Sequence, residues 1–251
     1  AQQHTGPSKS GRSKRIMAGR SLPKRILCYG DSNTAGFHSG GMGYEPYAKT
    51  LSRELAGLGW KCHVDHVGLS GLTAETMATE MGSFGILDVT GAVSKGLAVC
   101  LQDRPDLVII MTGTNDLGKG TSPEMIMRYV TRLHEVCHAL GIPTVAIAPP
   151  TITMGPLTLR RNHLASLLEG FVHRSRGNVV YFGDAERMLP RGSGRRGGFW
   201  DTDQLHLSPK GSRELGRHLA HELAGRLRLQ DEGEENGTGW FDDMLGMLLG
   251  H

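Results

Sequence analysis

Five apolar runs separated by helix-length stretches constrain this 251-residue chain more than any other feature. The runs "RILCYG" 25–30, "CHVDHVG" 62–68, "DLVIIMT" 106–112, "TVAIAP" 144–149 and "NVVYFG" 178–183 have the length of strands. Helical patterns fill the gaps at about 45–58, 73–81, 93–102, 122–140, 157–175 and 208–228. Strands alternating with helices imply a parallel sheet covered on both faces. "LVIIM" is continuous rather than alternating, as a strand buried on both faces should be. The expectation is an α/β protein of three α/β/α layers, with a flavodoxin-like five-stranded parallel sheet in the order 2-1-3-4-5. In that order strands 1 and 3 are neighbours, and ligands bind outside their carboxyl ends.

Charge divides the chain into three parts. Residues 1–30 carry seven Lys/Arg and no acid, whereas residues 231–251 carry six Asp/Glu and no Lys or Arg. The large charges therefore sit at the ends and nearly cancel, and the body, at +2 of the total +3, lacks the charge of a nucleic-acid-binding surface. We expect a disordered basic arm at 1–22, one domain at 23–229 and an acidic, apolar tail at 230–251. The arm reads as an RNA- or anion-contacting segment, a transit peptide or a remnant of processing. The tail "WFDDMLGMLLGH" suggests docking, on its own subunit or in a homo-oligomer. No apolar run approaches the roughly 18 residues that span a bilayer, and no signal peptide is visible. Cys28, Cys62, Cys100 and Cys137 form no C-x-x-C pair and read as buried free thiols, which favours an intracellular compartment.

Polar residues gather where the expected fold puts its sites. "YGDSNTAG" 29–36 follows strand 1, "GLSGLT" 68–73 follows strand 2 and "GTND" 113–116 follows strand 3. "DTDQLHLSPKG" 201–211 precedes the last helix. Ester hydrolysis needs a nucleophile, a base and donors for the developing oxyanion. Ser32 supplies the hydroxyl. His206 is the candidate base, with Asp203 three residues earlier able to reach its Nδ1–H; Asp201 is a second candidate for that orienting role. The Asn115 side-chain amide and the backbone N–H groups of Ser32 and Gly71 are candidate oxyanion donors. Asn33, Trp200 and Leu207 flank these groups as candidate substrate contacts. No cofactor and no metal is expected, and the partner is a small-molecule ester, with no obligatory nucleic acid and no membrane span.

Over residues 24–228 the sequence resembles the SGNH hydrolases, also called GDSL esterases. The family's four blocks correspond to "GDS" with Ser32, "SGLT" with Gly71, "GTND" with Asn115 and "DQLH" with Asp203 and His206. "KRILCYGDSNTAG", "GLS", "DLVIIMTGTND" and "APP" are most similar to the bacterial aryl esterases with acyltransfer and perhydrolysis activity. The resemblance implies the SGNH hydrolase fold, Ser32 as nucleophile, Gly71 and Asn115 as oxyanion donors, and Asp203–His206 as orienter and base. It implies a serine esterase for short-chain acyl or aryl esters. The alternatives are an acyltransferase or perhydrolase using the same site, or a binding protein acting through the basic arm.

Other motifs carry weaker chemistry. "HEVCH" 134–138 matches a zinc-binding pattern, but the helical stripe Ile126, Val130, Leu133, Cys137 and Leu140 leaves His134 and His138 expected to face water. "GTNDLGKG" 113–120 ends in Gly where a phosphate loop needs a hydroxyl. "HVDH" 63–66 alternates as a strand edge does. "RGSGRRGG" 191–198 reads as a solvated flexible loop, and Asn236-Gly237-Thr238 is a glycosylation sequon that matters only in a secreted chain.

Overall fold

Five parallel strands form the centre of the protein: β1 (Lys24–Gly30), β2 (Cys62–Gly68), β3 (Leu107–Met111), β4 (Thr144–Ala148) and β5 (Val179–Asp184). Their order is β2-β1-β3-β4-β5, as the alternation predicts. The computed structural model describes residues 24–151, 155–191 and 198–226. The arm, the tail, the sequon and residues 192–197 of the Arg-Gly stretch lie outside the described residues. Among the described residues no helix is long and apolar enough to cross a membrane.

The helices are α1 (Ser32–Ala35), α2 (Tyr47–Gly57), α3 (Ala74–Thr79), α4 (Leu97–Cys100), α5 (Thr114–Gly118), α6 (Pro123–His138), α7 (Gly155–Arg174), α8 (Ala185–Met188) and α9 (209–226). Strand alternation distributes the apolar side chains between two faces. Ile26 and Cys28 of β1 join Ile109 and Ile147 beneath Leu51 and Leu55 of α2 and Leu215 and Leu219 of α9. Leu27 and Tyr29 join Val108 and Ile110 beneath Met77 of α3 and Leu133 and Cys137 of α6. Ala146 and Ala148 meet α6 and α7 through Ile126, Val130, Leu164 and Leu168. Every residue of β3 and β4 is buried, which is why their sequences are apolar throughout except for Thr144 at the start of β4. β2 is an edge strand, and its exposed His63 and Asp65 point the same way and pair at 3.1 Å.

Three expectations need correction. The stretch 93–102 is not one helix. Val93–Ser94 pairs with Ile86–Leu87 as an antiparallel hairpin closed by the Asp88–Gly91 turn, and helix begins only at Leu97. A Cβ at Gly96 would lie 2.3 Å from the Glu80 carbonyl, so the chain passes there too closely to be wound earlier. α6 starts as read, with Ser122 Oγ accepting the Met125 N–H at 3.3 Å and Pro123 in its first turn. It stops at His138, however, leaving Leu140 48% exposed rather than in the core. His134 does not face water: it is fully buried, with Nδ1 2.7 Å from Thr144 Oγ1, while His138 Nε2 lies 2.9 Å from the same hydroxyl. Thr144 opens β4 directly under the helix and offers the polar partner that lets an imidazole replace an apolar side chain. Burial and the neighbouring His138 push the His134 imidazole down to about 3, so it is neutral. All four cysteines are free thiols as expected; Cys28, Cys100 and Cys137 are buried and Cys62 half-buried.

Candidate active site

Gly30 lies opposite both Gly68 and Met111, so β1, β2 and β3 end at one level and their loops leave the same edge. β1 turns at once into α1. That turn requires Gly30, since a Cβ there would lie 2.0 Å from the Met111 carbonyl and 2.5 Å from Thr34 Oγ1. Asp31 caps α1 by accepting the Asn33 N–H at 3.0 Å. It is fully buried, and burial pushes its carboxyl up to about 6 against the opposing pull of that bond.

Ser32 opens α1 at 5% exposure, with Oγ 2.9 Å from His206 Nε2. His206 Nδ1 lies 2.6 Å from Asp203 Oδ2. Asp203 Oδ1 accepts the N–H of Leu205 and of His206, each at 2.9 Å. Burial alone would raise the Asp203 carboxyl, but the bonds from the His206 ring and these two amides hold it below its usual range. The D-x-x-H spacing works because one carboxylate both closes the local turn and reaches the ring.

The loop after β2 is drawn to the same place by Leu69 N–H, which donates to the Gly30 carbonyl at 2.8 Å. Gly71 follows with φ +74°, a left-handed conformation that favours glycine. Asn115, in α5, donates from Nδ2 to the Leu72 carbonyl at 2.9 Å, which leaves its second amide hydrogen for another acceptor. Among the described residues the backbone N–H groups of Ser32 and Gly71 donate to no protein acceptor. Ser32, Asp203 and His206 are thus joined by hydrogen bonds, and Asn115 is bonded to the residue after Gly71.

Asp201 does not orient His206. Its Oδ2 accepts the Ser39 N–H at 2.5 Å and its Oδ1 the Thr202 N–H at 2.8 Å, so both oxygens are used elsewhere. The three candidate substrate contacts are also corrected. Leu207 is 2% exposed and Trp200 is buried beside it, with its indole N–H donating to the Leu189 carbonyl at 2.9 Å. Asn33 is buried and accepts the Leu207 N–H on Oδ1 at 3.1 Å. All three lie inward: Asn33 ties Leu207 to α1, and Trp200 bridges Leu207 and anchors it toward Leu189.

Sequence reasoning missed several supporting residues. The Phe37 ring lies 4.7 Å from the His206 ring, and no sequence signal announces it. Asp116, within "GTND", accepts the Ala74 N–H at 2.8 Å and so fastens the start of α3, and burial raises its carboxyl. Asp88 bonds the Ser70 N–H at 3.1 Å; its place before Val-Thr-Gly is a turn signal that could have found it. Among the described residues no three His, Cys, Asp or Glu side chains are grouped as a metal site requires.

Residues 28–214 match the model of the GDSL-like lipase/acylhydrolase family. Among solved structures, the chain is similar to a lipase/acylhydrolase from Enterococcus faecalis at 23% identity and TM-score 0.59, covering 81% of this chain and 96% of that one. It is similar to a family 3 carbohydrate esterase from Clostridium thermocellum at 19% identity and TM-score 0.61, covering 83% and 99%. A carbohydrate acetylesterase family member from Sinorhizobium meliloti gives 20% identity and TM-score 0.60, over 80% and 97%. These likenesses show the fold. Comparison with curated proteins finds no match.

Proposed function

The chain belongs to the GDSL-like lipase/acylhydrolase family, and from that premise we propose that it is a serine esterase cleaving short-chain acyl or aryl carboxylic esters through an acyl-enzyme on Ser32. The observation that carries this reading is the continuous chain from Ser32 Oγ to His206 Nε2 at 2.9 Å and from Nδ1 to Asp203 Oδ2 at 2.6 Å.

A serine hydroxyl is a weak nucleophile until a base takes its proton. His206 accepts that proton on Nε2 as Ser32 Oγ attacks the ester carbonyl carbon. Asp203 holds the other ring proton on Nδ1 and stabilises the imidazolium that forms. Negative charge then develops on the carbonyl oxygen, facing the N–H groups of Ser32 and Gly71 and the amide of Asn115. The imidazolium returns its proton to the departing alcohol, leaving the acyl group on Ser32. Water, activated by the same base, releases the acid.

Ser32→Ala should abolish release of p-nitrophenol from p-nitrophenyl acetate while the folded spectrum and melting temperature remain those of the parent. Turnover retained by the folded variant would overturn the mechanism. A panel of p-nitrophenyl esters from acetate to palmitate should favour the short acyl chains.

A further inference from the structure

The N–H of Gly71 belongs to the Ser70–Gly71 peptide. A peptide is planar and trans, so the direction of that N–H is set by where the Ser70 carbonyl points. The Ser70 carbonyl accepts the Val89 N–H at 3.2 Å. The Ser70 N–H donates to Asp88 Oδ2 at 3.1 Å. Two consecutive residues of a distant turn therefore grip Ser70 at both of its backbone groups.

That turn is built to be stiff. Asp88 Oδ1 accepts the Thr90 N–H at 2.9 Å, the Thr90 hydroxyl at 2.7 Å and the Ala92 N–H at 3.0 Å. The Asp88 N–H in turn donates to the Ala92 carbonyl at 2.9 Å, and the antiparallel hairpin Ile86–Leu87 with Val93–Ser94 continues from it. Burial acts to raise the Asp88 carboxyl, but the donors from Thr90, Ala92 and Ser70 outweigh it and keep it below its usual range. The Val89 side chain lies over Gly71, and a Cβ on that glycine would meet Val89 Cγ2 at 2.5 Å.

We propose that Asp88 is a positioning residue for the oxyanion hole: with Val89 it fixes the Ser70–Gly71 peptide and so aims the Gly71 N–H. The proposal rests on the esterase reading of Ser32. An oxyanion donor acts in proportion to how well it is aimed before charge develops. A carboxylate is needed at position 88 because donors converge on both of its oxygens. Asn offers one acceptor oxygen and turns an NH₂ toward donors, so either Ser70 or the Thr90–Ala92 side loses its partner.

The test is Asp88→Asn and Asp88→Ala assayed on p-nitrophenyl acetate, with active sites counted by titration to completion with a p-nitrophenyl phosphonate. The expected result is a fall in kcat per titrated site of about 10- to 100-fold, on the order of losing part of one oxyanion donor. KM should change little, and the acid limb of the pH profile should stay where the parent has it, because His206 and Asp203 are untouched. If Asp88→Ala does not fold, Asp88→Asn still leaves an acceptor for the turn and carries the test. Parent kcat per titrated site in the folded variants, with any lost activity tracking only lost sites and a lower melting temperature, would overturn the proposal. Failure of the esterase reading shows separately, as an inactive parent or an active Ser32→Ala.

Discussion

Ser32 and His206 lie 2.9 Å apart but are held by different means. Ser32 stands where β1 ends, among Asp31, Asn33 and Thr34, all buried, at a level set by ladders to β2 and β3. His206 rides a turn whose Asp203 side chain is 43% exposed. Its place depends on single bonds: Leu207 N–H to Asn33, Ser39 N–H to Asp201, and the Phe37 ring against the imidazole. A ladder shares a position over many bonds, whereas a turn held by single bonds shifts when one is lost. The strand-tip half of the site is framed by the sheet, and the turn half carries the proposed base, His206, on fewer ties.

This contrast can be broken at several points. The largest effect is expected from Gly71→Ala on the strand-tip side, where φ is +74° and Val89 occupies the space. We expect about 10²–10³ in kcat, as for loss of an oxyanion donor. Adding Val89→Ala should restore only part of it, because the backbone strain remains; full recovery in steady-state kinetics would show that sterics alone were at work. Asn33→Ala cuts the tie between the halves and leaves the buried Leu207 N–H without its acceptor. It should lower the unfolding free energy by about 1–3 kcal/mol and reduce kcat by more than tenfold. Denaturant melts and kinetics check both, and loss of stability without loss of kcat would show that the turn finds its place unaided.

Asp201→Ala removes the bond to Ser39 at an exposed edge, so stability should change by less than about 1 kcal/mol and kcat by a few-fold. A kcat loss as great as that of Asn33→Ala would remove the distinction between inner and outer ties. The last test concerns pH dependence at Asp31. Its folded carboxyl is raised from an ordinary value near 3.8 to about 6, so the folded state binds the proton more tightly than the unfolded chain. Stability from this group therefore rises as pH falls through 6 and levels off below 3.8. Asp31→Asn removes that gain, and the melting temperature of the parent relative to the variant should rise between pH 7 and pH 5. A constant difference would show that Asp31 does not titrate there.

What the sequence made legible follows the same division. β3 and β4 were plain because full burial leaves almost only apolar letters, and Ser32 and Asn115 were plain because polar letters at the ends of such runs have one place to go. His206 and Asp203 could be named from their spacing, which one local turn satisfies. Their supports could not be named. Trp200 and Leu207 read as pocket residues, yet they lie inward because Asn33, about 170 positions away, supplies the acceptor that closes the turn. His134 read as a surface residue, yet Thr144 gave it a buried partner. The hairpin at 86–94 was hidden because its two strands are two residues each, too short for any period to show. The deciding partner is remote in sequence for the His206 turn, lies on the next element for His134, and for the hairpin is local but too short to show a pattern.

The shared level of Gly30, Gly68 and Met111 has a consequence for how such a chain can diverge. Exchanging Val64 for another β-branched residue leaves the edge where it is. Deleting one residue from β2 would draw the Gly71 loop back by about 3.3 Å and turn its side chains to the opposite face. Apart from Gly30 and Gly68, where a Cβ would strike the Met111 carbonyl or the Ala35 backbone, the edge depends less on the spelling inside these strands than on their length.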